Sequence, residues 1–265
     1  MTDPRATIQA LAADTESGAA EIAERAAGAL VALPRSGLQE AIEVLLRGHP
    51  EMAPLWRLGS DLLSATDPGA CAERFLSRLI RDGDASGAIA SLLPDRLLTI
   101  SYSSTVRQAV VARRPAAVLC MRSDPGEEGV RMAAALSGTT AASVIEDDDA
   151  IARCPADAVL VGADAITPTS LVNKVKTGRI AESARDHGIP CFAIAGDTKF
   201  VPVELPCAEP FEAAELQLFS RIATPDGVLT PELAAQHASS AAVHSALLDV
   251  AERFREERSM AGPIS

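Results

Sequence analysis

The chain has 265 residues, 48% of them hydrophobic and only 3% aromatic. That balance excludes a disordered or low-complexity polymer and leaves a core of Ala, Leu, Val and Ile. A formal net charge of −12 argues against a nucleic-acid or anionic-membrane binder, because those partners demand a basic surface.

Up to about residue 93 the pattern is helical. Between Ser17 and Leu33 the apolar residues Ile22, Ala26, Ala29, Leu30 and Leu33 keep the 3.6-residue period. Ser17–Gly18 ahead of Glu21 marks a start, and Pro34 with Gly37 a stop. Further helices are predicted over Leu38–Arg47, Met52–Ala65 and Pro68–Leu93, the last with a break signal at Asp82, Gly83 and Asp84. After Pro94 short apolar runs alternate with amphipathic stretches. The runs are Leu97–Ile100, Ala116–Met121, Ala141–Ile145, Ala158–Val161 and Cys191–Ala195. Helices fall near Val106–Arg113, Glu128–Leu136 and Val175–His187. Strands apolar on both faces, alternating with helices, define βαβ units and a parallel sheet covered on both sides. A last helix, Pro231–Arg255, is expected to pack on that sheet. The expected class is α/β: a small helical N-terminal domain, residues 1–93, then a doubly wound parallel sheet in a ligand-binding domain, residues 94–265.

Open α/β sheets bind ligands beyond the carboxyl ends of their strands, so the residues that follow each run are the candidates. They are Ser101–Thr105, then Arg122, Ser123 and Asp124, then Glu146 and Asp147, then Gly162–Asp164, then Gly196–Lys199. Polar loops are the rule at such strand ends, but two signals go further. The only lysines of the chain, Lys174, Lys176 and Lys199, fall on this edge or just behind it. The segment Ser101–Thr105 opens a helix, whose free N–H groups and hydroxyls suit a phosphate. No G-x-G-x-x-G follows the first strand and no P-loop motif occurs, which sets aside dinucleotide and P-loop readings. No cofactor is expected.

Five cysteines with no C-x-x-C pair read as free thiols in a reducing compartment rather than a disulfide frame or zinc site. His237 and His244 are expected on one face of the last helix, but their spacing of seven does not suit a metal pair, and no metal is expected. The acidic run Glu146–Asp149 reads as a solvated turn and helix start. With no leader-like segment and no long apolar run, the expected location is cytoplasmic, without membrane or direct nucleic-acid contact.

One stretch is more specific. VLVGADAITPTSLVNKVKTGRIAESARDHGIPCFAIAGDTKFVP (Val159–Pro202) combines GAD, NK, HGIP and a K-F ending, at Gly162–Asp164, Asn173–Lys174, His187–Pro190 and Lys199–Phe200. It resembles the α, β and δ subunits of initiation factor 2B and their enzyme relatives, methylthioribose-1-phosphate isomerase and ribose-1,5-bisphosphate isomerase. Weaker matches lie at Glu16–Leu30, His49–Leu63, Leu97–Val106 and Arg122–Leu136. The resemblance implies a helical N-terminal domain, a Rossmann-like C-terminal domain, and a homodimer formed through the latter.

In the isomerases a cysteine after the first strand and the aspartate of GAD convert an aldose 1-phosphate to the ketose. Asp164 matches that aspartate, whereas the cysteine position is Ser101 and the arginine of an R-G-A motif is Ser17. A serine hydroxyl is far less acidic than a thiol, so it is a poor general acid or base without an activating partner. The first expectation is therefore a protein that binds a phosphorylated sugar or nucleoside monophosphate. Ser101–Thr105, with Ser103, Ser104 and Thr105 among them, and Arg122 would take the phosphate, and Asp164 and Asn173 the sugar hydroxyls. Ser17, Gly18, Lys174 and Lys199 complete the implied site, with Lys174 either a ligand contact or the structural partner of Asp164. Alternatives are an active aldose–ketose isomerase working through Asp164 and Ser101, or a non-catalytic subunit acting through protein contacts.

Overall fold

The computed structural model describes the backbone of residues 3–261 and the side chains of residues 3–257. Six helices come first: α1 (Pro4–Ala12), α2 (Ala19–Val31), α3 (Arg35–Gly48), α4 (Ala53–Ser64), α5 (Pro68–Arg81) and α6 (Ala85–Ala90). Proline opens α1, α4 and α5, where its missing N–H costs no intrahelical bond. Asp67 caps α5 by accepting from the Ala70 N–H at 3.1 Å. The break at Asp82–Asp84 takes the form of a 3-10 turn between α5 and α6. Ala23, Ala26, Leu30, Leu45, Trp56 and Leu58 bury the facing sides of α2, α3 and α4 in one apolar cluster.

The second part alternates as the pattern requires: β1 (Arg96–Thr99), α7 (Ser104–Arg113), β2 (Ala117–Met121), α8 (Glu128–Leu136), β3 (Ala141–Ile145), α9 (Asp147–Arg153) and β4 (Ala158–Gly162). Then come β5 (Ala165–Ile166), β6 (Ser170–Lys174), α10 (Thr177–Asp186), β7 (Cys191–Ile194), β8 (Phe211–Glu215), β9 (Arg221–Thr224), β10 (Gly227–Leu229), α11 (Pro231–Ser240) and α12 (Ser245–Ala261). A seven-stranded sheet runs β10-β9-β7-β4-β1-β2-β3, parallel except for the β9–β10 pair. Alternate residues feed opposite faces: Val159 and Val161 of β4 join one cluster, Ala158 and Leu160 the other. From β1 the chain builds outward through β2 to β3, then returns to β4 on the other side of β1. The carboxyl ends of β1 and β4 therefore flank the topological switch point.

Two parts of the fold depart from the sequence pattern. Strands β5, β6 and β8 form a separate antiparallel sheet. Every residue of β6 is buried, so the alternation that marks an antiparallel strand is missing from it. The helix expected over Pro231–Arg255 is two helices. Near the break, the Ser239 and Ser240 hydroxyls donate back to the carbonyls of Ala235 and His237, a competition that weakens helix ends. α11 buries Ala234 and Ala238 on the sheet, but α12 leaves it and buries Leu247, Val250, Ala251 and Phe254 among the N-terminal helices. His237 and His244 accordingly share no helix face; the His244 N–H donates to Ser60 Oγ at 2.8 Å.

Candidate functional site

The carboxyl ends of β1 and β4 open into a cleft of about 1290 Å³ between the sheet edge and the N-terminal helices. Of the residues expected from sequence, Ser17, Gly18, Ser101, Ser103, Ser104, Thr105, Asp164, Asn173, Lys174 and Lys199 line it. Arg122 does not. Its guanidinium is committed to Glu146 at 2.7 Å and to Glu127 at 2.9 Å on the outer side of the sheet edge, which corrects its expected role with phosphate.

The β1 side is built on backbone that serine rarely adopts. Ser101 and Ser123 have φ of 65° and 69°, left-handed values that cost about 1–3 kcal/mol each in a non-glycine residue. A chain of bonds holds them there. The Ser101 N–H donates to Ser123 Oγ at 2.8 Å, and the Ser123 N–H to Asp147 Oδ1 at 2.8 Å. Lys176 Nζ in turn donates to Asp147 Oδ2 at 2.5 Å. Asp147 is thus buried and joins the ends of β1, β2 and β6; the run Glu146–Asp149 is not simply a solvated turn. Beyond Ser101, Ser103 Oγ caps α7 by accepting from the Val106 N–H at 3.3 Å. The first-turn N–H groups of Ser104 and Thr105 have no intrahelical acceptor. Gly162 permits this packing, since a Cβ there would lie 2.7 Å from Ser103 Oγ.

The β4 side carries the aspartate. The Asp164 N–H donates to the Val172 carbonyl at 2.8 Å, and its own carbonyl accepts from the Ala53 N–H at 3.0 Å. The strand exit is thereby fastened to both β6 and the start of α4. Burial pushes the Asp164 carboxyl above the usual aspartate range, and the Lys199 charge opposes that rise. Lys199 Nζ stands 3.7 Å from Asp164 Oδ1, beyond hydrogen-bond length. Lys174 pairs elsewhere: its Nζ donates to Glu128 Oε1 at 2.7 Å and to the Pro125 carbonyl. Of the two roles open to Lys174, the structural pairing with Asp164 is therefore not met, and its carboxylate partner is Glu128. Asn173 Nδ2 donates to Thr177 Oγ1 at 3.1 Å.

The cleft also gathers residues that sequence reasoning missed: His49, Asp82, Glu128 and Arg131. Glu128 and Arg131 sit three apart on α8 and so share a face, a spacing signal that was available. The Arg131 guanidinium lies 5.7 Å from the Tyr102 ring centroid and has no carboxylate partner among the described residues. His49 is buried, with its Nε2 within hydrogen-bond distance of the Leu11 carbonyl at 2.8 Å. None of the five cysteines lines the cleft.

Fold and cleft define a doubly wound α/β protein of Rossmann-like type with its candidate site at the switch point. Residues 72–249 match the model of the initiation factor 2 subunit family (IF-2B), and the chain belongs to that family. Its fold is similar to that of the Pyrococcus horikoshii OT3 translation initiation factor eIF-2B, at 24% identity and a TM-score of 0.77 over 87% of this chain and 98% of that one. The tetrameric eIF2B-beta2-delta2 complex from C. thermophilum contains a chain alike at 18% identity and a TM-score of 0.70, over 88% of this chain and 92% of that one. 5-Methylthioribose 1-phosphate isomerase from P. horikoshii OT3 matches at 18% identity and a TM-score of 0.63, over 89% and 87% respectively. At these identities the likeness is one of fold. Among the described residues no helix is long and apolar enough to cross a membrane.

Proposed function

We propose that this protein binds a phosphorylated sugar or nucleoside monophosphate in the switch-point cleft. The first turn of α7 with Ser103, Ser104 and Thr105 takes the phosphate, Asp164 and Asn173 take sugar hydroxyls, and Lys199 and Arg131 supply positive charge. The observation that carries the reading is the meeting of an uncommitted helix N-terminus with the loosely paired Asp164 and Lys199 in one cleft. Division into a helical domain, residues 1–93, and a ligand domain, residues 94–265, belongs to the same proposal, as does homodimerisation through the latter.

A thermal-shift screen tests it with ribose 1,5-bisphosphate, methylthioribose 1-phosphate, ribose 5-phosphate and nucleoside monophosphates. A ligand present at about a hundred times its Kd adds roughly 2.7 kcal/mol, and Asp164→Ala removes the shift. Absence of a shift with every compound rejects the reading for those compounds.

One observation favours a second reading, isomerisation of an aldose 1-phosphate to the ketose. Burial holds the Asp164 carboxyl above its ordinary range, a direction that suits a group that both takes and returns a proton. The cleft supplies no thiol beside it, so Ser101→Cys is expected to create or raise turnover of whichever aldose phosphate binds. No gain in a variant that still binds the ligand rejects this reading alone.

A further inference from the structure

Asp82 closes α5 and enters the sequence pattern only as a helix breaker. Its carboxylate nevertheless turns away from solvent and crosses to the far side of the cleft. Oδ2 accepts from the Thr198 N–H at 3.3 Å and from the Thr198 hydroxyl. The residue is 8% exposed, and its Oδ1 is buried without a hydrogen-bond partner. A half-satisfied buried carboxylate is costly and calls for a reason.

The reason lies in what Asp82 grips. A Cβ on Gly196 would fall 2.1 Å from Asp82 Cγ, so glycine alone lets the carboxylate rest on this backbone. The gripped 3-10 turn, Asp197–Lys199, carries Lys199. A lysine 3.7 Å from its carboxylate is not held by that contact, so the turn must hold it. From the other side His237 Nε2 meets Asp197 Oδ1 at 2.9 Å, bracing the turn against α11.

We infer that Asp82 is a positioning residue of the cleft: by gripping the turn after β7 from the helical side, it fixes Lys199 against Asp164. The inference rests on the reading of Asp164 and Lys199 as the working pair. It fits the electrostatics, in which burial raises the Asp82 carboxyl and both Thr198 and the Lys199 charge oppose the rise, so that one lysine acts on two carboxyls.

The test is a carboxyl-detected NMR titration of Asp164 in the full chain without ligand. Asp82→Asn removes the charge but still accepts from Thr198, whereas Asp82→Ala removes charge and grip together. Lys199→Met sets the reference and is expected to raise the Asp164 midpoint by about one unit. The Asp164 midpoint should then lie at least about half a unit higher in Asp82→Ala than in Asp82→Asn, toward the Lys199→Met value. Should Asp82→Ala not fold, Thr198→Val weakens the same grip and should move the midpoint in the same direction. Equal midpoints in the Asn and Ala variants, or no response to Lys199→Met, overturn the inference. No ligand is used, so a failed ligand screen rejects the binding reading without deciding this one.

Discussion

Two lysines face the same cleft and are held in opposite ways. Lys174, on β6, is 3% exposed and held by Glu128 and the Pro125 carbonyl. Lys199, on the turn after β7, is 15% exposed and stands off from Asp164 at 3.7 Å. The first pair closes the wall formed by β6 and α8. The second leaves ammonium hydrogens and carboxylate oxygens uncommitted where the strand ends open. Charge in a cleft is therefore weak evidence of chemistry until its partners are counted, and by that count the β7 side is the side to test.

The sharpest way to break this contrast is to remove each lysine in turn. Lys174→Ala strands a largely buried Glu128 and should cost about 3–5 kcal/mol in urea denaturation. Lys199→Ala should cost about 1 kcal/mol or less, because Asp164 can take up a proton in place of its partner. Equal losses would erase the distinction. Next in size is Ser123→Ala, which strips the Ser101 N–H of its acceptor; about 1–3 kcal/mol should be lost, with faster amide exchange at Ser101.

A pH series sharpens the contrast further. The Asp164 pKa in the folded protein is raised. Its contribution to stability is thus complete below the unfolded-state value and is lost as pH rises through the folded one. Asp164→Asn should accordingly gain melting temperature relative to wild type as pH rises above about 4; a constant difference would show that the carboxyl titrates normally. The smallest effect belongs to Arg122→Ala. Its pairs lie on the outer surface, so neither melting temperature nor ligand affinity should change measurably.

Much of this was legible in one dimension. The run Glu128–Leu136 is helical over its full expected span, where short-range period and burial agree, and Ala141–Ile145 is a strand over its own, although as an edge strand it buries none of its residues fully. The parallel sheet was legible for the same reason, and with it the edge on which Ser101–Thr105 and Gly162–Asp164 meet. β6 was not, since burial on both faces leaves no alternation to read. The choice between Glu128 and Asp164 as partner of Lys174 was equally hidden, because it depends on how α8 lies against β6.

Arg122 shows the limit from the other side. Its position after β2 agrees with a phosphate contact, yet the guanidinium turns outward to Glu127 and Glu146, and Arg131, nine residues further on, faces the cleft instead. Local periodicity and strand-end chemistry were sufficient for most of the elements, their alternation and the sheet edge that opens into the cleft, because each depends on neighbours within a few residues. The return of α12 to the N-terminal helices, the reach of Asp82 across 116 residues to Thr198, and the split between a tightly and a loosely paired lysine came only with packing. Each depends on distances between segments remote in the chain, and those are set when the helices close over the sheet.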